Sequence, residues 1–211
     1  MTPEEFLLKV IRLYQDARIS HYADAKIRRG RSHSISSIAE DLFASYLLSA
    51  DKTIDFILVD QPVHVPDTKT TFYPDITIVR NGQITAFLDL KMDLGWKRRG
   101  LVDLCRKDQA LMKAIRGSEC IFKDGETKER KSYPISDSAV YDIVVVSGEN
   151  IAQKLLDDQL AEAGQYAEDV MIHILTTNEH PNTYGYTPDA LMEKIQIQHK
   201  AFAKISERVK S

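Results

Sequence analysis

The chain has 211 residues, 43% of them apolar and 28% charged, with a formal net charge of −3. That composition is ordinary for a globular protein, and no apolar run approaches the ~20 residues that a membrane-spanning helix needs. Cys105 and Cys120, the two cysteines, exclude a disulfide scaffold or a zinc site by number and spacing, so free thiols and a cytoplasmic location are expected.

Residues 3–18 carry an opening helix, with Pro3 at its first turn and Glu4 and Glu5 at the positive end of its dipole. Phe6, Val10, Leu13 and Tyr14 fall near helical spacing, and nothing before them resembles the basic start of a signal peptide. A polar stretch, 20–34, follows, with Lys26, Arg28, Arg29 and Arg31 clustered in it. Ser34 or Ser36 can cap the next helix, ISSIAEDLFASYLL, which runs to about residue 49. Its apolar face is assigned to Ile35, Ile38, Leu42 and Tyr46, with Leu47 and Leu48 joining it. Glu40 falls at the margin of that face, although Ser37 and Glu40 also have capping-box spacing. Residues 54–59 form a short apolar strand, extended through 63–65 after the interruption at Pro62, and Pro66-Asp67 opens a turn.

The stretch YPDITIVRNGQITAFLDLKMD organises the rest. Two β-branched and aromatic runs, 72–79 and 84–94, flank Asn81-Gly82, whose residues both tolerate the positive φ of a tight hairpin turn. Strand alternation puts Asp89, Lys91 and Asp93 on one face and Leu88, Leu90 and Met92 on the other. Asp75 lies on the neighbouring run, within reach across the hairpin. Buried charges are costly unless paired or bound to metal. Two carboxylates and an ammonium gathered this way suit a hard divalent ion held through oxygen, with the lysine where water or phosphate arrives.

Beyond a turn at Gly95, Trp96 interleaves with Lys97, Arg98 and Arg99. With Arg28, Arg29 and Arg31, these cations make a phosphate-binding face on an otherwise acidic body, and Trp96 is either core or part of that face. A helix over 101–115 turns Leu104, Ala110, Leu111 and Ile115 inward and stops at Gly117. Residues 120–134, with Asp124-Gly125, read as a hairpin tip or loop. VYDIVVV is a strand covered on both faces, Asn150 caps a helix to about residue 163, and 170–175 is a last buried strand containing a core histidine, His173. A loop, 178–186, precedes a helix running from Pro188 to near the end of the chain.

Pro74-Asp75 and Asp89-Leu90-Lys91, behind an acid-bearing helix, resemble the PD-(D/E)XK nuclease superfamily, the restriction-endonuclease-like fold. The element order over 34–176 looks like its αβββαβ core, a mixed sheet flanked by helices in an α/β arrangement, with 3–18 and 188–210 as additions to a single domain. The resemblance implies that Asp75, Asp89 and the Leu90 carbonyl ligate Mg²⁺ (or Mn²⁺) and that Lys91 orients or deprotonates the attacking water. It makes Glu40 the best match for the family's helical acid, with Asp41 as alternative, and Gln109 or Lys113 the polar residue on the following helix. The expected function is a Mg²⁺-dependent endodeoxyribonuclease of restriction type, cutting double-stranded DNA as a homodimer. A repair intermediate, a transposon end or RNA as substrate fits the same residues, as does a binding or assembly module that keeps the fold without the chemistry.

Overall fold

Thr2 caps the first helix, α1 (Pro3–Asp16), in a reciprocal capping box with Glu5. Helix α2 (Ser36–Ala50) and strands β1 (Phe56–Val59), β2 (Val63–Val65), β3 (Thr70–Phe72), β4 (Ile76–Arg80) and β5 (Gln83–Lys91) follow. Then come α3 (Leu101–Ile115), β6 (Glu119–Lys123), β7 (Arg130–Val145), α4 (Gln153–Ala163) and β8 (Val170–Ile174). The chain ends with β9 (Thr176–Thr177), α5 (Pro188–Met192), β10 (Gln196–Ile197) and α6 (His199–Arg208). The structure is a computed structural model and describes residues 1–19, 26–27, 31–95, 100–125 and 127–210.

Among the described residues, eight strands form one mixed sheet in the order β1-β4-β5-β7-β6-β2-β3, with β8 paired to β7. Strands β1, β4 and β5 are an antiparallel meander, and β7 and β8 run parallel to β5, reached through α3 and α4. Helices cover both faces, which makes this an α/β protein. On one face Phe6, Phe43, Tyr46 and Phe202 bring α1, α2 and α6 together over Ile76, Ile78 and Leu88, with Phe6 and Phe43 centroids 5.4 Å apart. On the other, Leu101, Cys105 and Met112 of α3 and Leu156 of α4 pack on Phe87, Ile143 and Val145. Strands covered on both faces have no polar side to alternate with, so β4 is buried throughout. No helix among the described residues is long and apolar enough to cross a membrane.

The Asn81-Gly82 turn forms as its sequence requires: Arg80 pairs with Gln83, and both turn residues have positive φ, 50° and 70°. Other expectations need correction. The run over 72–79 is broken at Tyr73-Pro74, so Phe72 ends β3 and Asp75 precedes β4. Residues 63–65 do not extend β1; β2 pairs with β3 and β6 instead, because Pro62 cannot donate to a ladder. In α2, Ile38 and Leu48 are exposed, and the buried stripe is Ala39, Phe43, Tyr46 and Leu47. Its N-cap is Ile35, whose side chain makes no cap bond, while Ser34 Oγ, one residue earlier, accepts the Ser36 N–H at 3.4 Å. In α3 Ile115 is buried and Leu104 and Leu111 pack against the core as expected, joined by Leu101, Cys105, Asp108 and Met112, whereas Ala110 is exposed. Ala152, not Asn150, precedes α4; Asn150 instead takes positive φ and donates its amide to Asp93. The C-terminal helix is broken into α5 and α6 by β10, which pairs with β9.

Three buried ion networks tie distant segments to the sheet. Arg208 of α6 grips the fully buried Asp142 of β7, which also accepts from His173 at 3.1 Å. Arg80 of β4 bridges Asp51, at 2.7 Å, to the Val209 carbonyl. Arg116 and Gln109 share Asp169.

Candidate active site

The pairing of β4 with β5 ends at Ile76 opposite Leu88, while β5 stays paired to β7 as far as Lys91. Residues 89–91 therefore have a strand on one side only, and the Leu90 N–H has no β4 carbonyl to meet. Asp75 supplies the acceptor, its Oδ2 taking that N–H at 2.7 Å. Within a strand the N–H and C=O of one residue point to the same edge, so the Leu90 carbonyl faces this opening too. A carboxylate and a carbonyl thus flank the gap where two strands part.

Lys91 closes the arrangement. Its Nζ lies 3.2 Å from Asp75 Oδ2 and 3.2 Å from Asp89 Oδ2. Burial works to lower its pKa, but Asp89 and Asp75 outweigh that and hold the ammonium above its ordinary range. Asp75 is itself raised, by burial first and by Asp89, against the opposing pull of Lys91. Across the cleft Glu40 comes from α2, on the other face of the sheet. Burial, with the charges of Asp75 and Asp60, pushes its carboxyl up to about 7. Asp60 is placed by its N–H, which donates to the Asp75 carbonyl at 2.9 Å. Asp41 is exposed.

Asp89 has a further partner that sequence reading missed. The buried Tyr141 of β7 donates its hydroxyl to Asp89 Oδ1 at 2.8 Å, and burial followed by the Asp89 charge raises that phenol well above its usual range. Phe87 and Tyr141 are register partners, which puts the tyrosine on the same face as Asp89, two residues on. The only signal was one hydroxyl in an apolar run, VYDIVVV. Asp93 shares that face but turns to a structural task, accepting from Gly95 N–H at 2.7 Å and Asn150 at 3.1 Å, with His180 at 3.4 Å.

Glu40, Asp75, Lys91, Met92, Asp93 and Ser36 line a cleft of about 380 Å³. Its oxygens are hard: the carboxylates of Glu40, Asp75 and Asp93 and the Leu90 carbonyl, against the Lys91 ammonium. Asp89 is not among the lining residues and meets the cleft through its ion pair with Lys91. Burial first and neighbouring carboxylates second raise Glu40 and Asp75, a cost that a divalent cation would offset, and oxygen-only donors fit Mg²⁺ or Mn²⁺. Among the described residues no three acidic, His or Cys side chains already stand around one point; Lys91 occupies the space between Asp75 and Asp89.

Of the expected nucleic-acid contacts, Arg31 is exposed and lines an adjoining cleft that shares Ser36 and Met92 with this one. Arg28, Arg29, Trp96, Lys97, Arg98 and Arg99 lie outside the described residues. Gln109 and Lys113 do not serve the site: Gln109 donates to Asp169, which precedes β8 at the opposite end of the sheet, and Lys113 is exposed. Both thiols are buried and pushed up, Cys105 to about 12 and Cys120 to about 11, which leaves them unreactive. No protein-family model matches the sequence, and no curated protein matches it.

Proposed function

We propose that the chain is a Mg²⁺-dependent endodeoxyribonuclease of the PD-(D/E)XK superfamily, with the restriction-endonuclease-like fold. The observation that carries this reading is the convergence of Asp75, Asp89 and Lys91 at the point where β4 leaves β5. The fold adds support. An acid-bearing helix, the antiparallel strands β1, β4 and β5, a crossover helix and β7 parallel to β5 are compatible with the expected order, although β2, β3 and β6 are interposed.

Asp75, Asp89 and the Leu90 carbonyl would hold the ion, with Glu40 facing them. A divalent cation held there would offset charge on the scissile phosphate and lower the pKa of the attacking water. The chain does the rest. Tyr141 fixes Asp89 in one orientation, and Asp75 is fixed by the Leu90 N–H, so the carboxylates need no rearrangement during the reaction. Lys91, held as an ammonium, donates hydrogen bonds that place the water or a phosphate oxygen in line. A restriction-type enzyme acting as a homodimer on double-stranded DNA is the simplest form of this activity.

The test is Lys91→Ala. Its carboxylates remain, so Mn²⁺ binding by calorimetry and duplex binding by anisotropy are expected to persist while cleavage is lost. Cleavage by Lys91→Ala near the parent rate would sink the assignment.

A further inference from the structure

A second feature beside the cleft has no part in that chemistry. Strands β6 and β7 form a hairpin arm whose tip pairs Lys123 directly opposite Arg130. Cross-strand partners point to the same face, and like charges set opposite each other destabilise a hairpin. Both side chains are exposed, and neither makes an ion pair or hydrogen bond among the described residues. On the opposite face of the same arm, by contrast, Lys131 is paired with Asp124 at 3.3 Å. A cation pair that opposes folding of the arm, with no ion-pair partner among the described residues, is accounted for by an anion from outside.

The position of the arm says which anion. Gln61 donates to the Lys123 carbonyl at 3.0 Å, and the neighbouring Asp60 donates its N–H to the carbonyl of Asp75. Two hydrogen bonds therefore link the arm tip to the first carboxylate of the cleft. His64, bonded to Thr71 at 2.9 Å and in register with Ile121, lies on the same face as Lys123. Together Gln61, His64, Ile121, Lys123 and Arg130 line a groove of about 650 Å³, in which Asp60 is the acid among the described lining residues.

We infer that this groove is a phosphodiester-backbone subsite: the β6–β7 arm holds duplex DNA through phosphates flanking the scissile one. The inference rests on the nuclease reading for the identity of the anion, and it is tested without cleavage. Binding of a fluorescein-labelled DNA duplex is measured by anisotropy in EDTA across a salt series, for the parent protein and K123A/R130A. Each lost phosphate contact removes about 0.9 from the slope of log affinity against log salt, so the double variant should be shallower by about two and weaker at every salt concentration. Lys123→Glu is the complementary variant. It creates a cross-strand ion pair with Arg130, so its melting temperature should equal or exceed the parent's while binding falls. An RNA duplex of equal length shows which polymer the subsite prefers, and loss of either in the variants supports it. An unchanged salt slope in K123A/R130A, or no duplex binding by the parent, overturns the inference. A parent that binds with the expected slope yet never cleaves contradicts only the nuclease reading.

Discussion

Tyr141 and Glu40 carry the two predictions that belong to single residues. The Tyr141 hydroxyl donates to Asp89 Oδ1, and if Asp89 holds the proposed ion, an outer partner of this kind typically tunes metal affinity by about 10–100-fold. Tyr141→Phe should therefore raise the Mg²⁺ concentration for half-maximal cleavage about tenfold, with kcat at saturating metal largely kept; an unchanged metal dependence would make the contact structural only. Glu40 sets a pH dependence. Its folded pKa of about 7 stands above the ordinary 4.5, so between those values the native chain keeps a proton that the unfolded chain has released. Stability in EDTA should fall as pH rises through this window and stay lower above it; the raised Asp75 acts in the same direction, starting from its own ordinary value of 3.8. Asp51 acts in the opposite sense but far below this range: burial works against its charge, yet bonds from Thr53 and Arg80 hold it near 2. Glu40→Gln should flatten the loss of melting temperature between pH 5 and pH 8, and parallel curves for variant and parent would refute that assignment.

Among the elements, α6 is held by a buried ion pair as well as by Phe202 and Ile205 in the core. Arg208 meets an Asp142 that has no exposure at all, and removing one member of a buried pair leaves the other charge uncompensated. Arg208→Ala should cost about 3 kcal/mol in urea unfolding, while a loss below about 1 kcal/mol, the range of an exposed pair, would show that His173 alone satisfies Asp142. This network also marks the limit of what the chain reveals before folding. The Asn81-Gly82 hairpin, the 101–115 helix, β8 and the apolar second half of β7, from Val140, were legible because each is governed by local rules of turn, period and composition, whereas the polar first half of β7, from Arg130, was not. Asp75, Asp89 and Lys91 could be grouped for the same reason, since strand alternation and a two-residue turn fix their proximity. Tyr141, Asp60 and the Lys123–Arg130 pair were not legible as parts of a site. Their positions depend on a parallel pairing across a crossover helix, and on a hairpin folded back toward Asp75, neither of which leaves a periodic trace. The split of the last helix escaped for a similar reason: β10 forms only because β9 offers it a partner.

At the scale of the molecule, the fold brings oxygen donors to one opening in a sheet whose strands are otherwise paired and covered. Helix α2 delivers Glu40 from one face, Tyr141 braces Asp89 from the other, and the meander leaves a gap where β4 departs. The cleft with Arg31 adjoins this opening through Ser36 and Met92, and the groove with Lys123 and Arg130 is linked to it through Asp60, whose N–H donates to the Asp75 carbonyl. The net charge of −3 conceals this distribution. The measurement closest to the central claim is incubation of the purified protein with plasmid DNA in Mg²⁺, in Mn²⁺ or in EDTA, beside an Asp89→Asn control of equal thermal stability. Metal-dependent nicked or linear product, absent from EDTA and from the control, is the predicted result. Intact plasmid in both metals, or cleavage that Asp89→Asn retains, would contradict it.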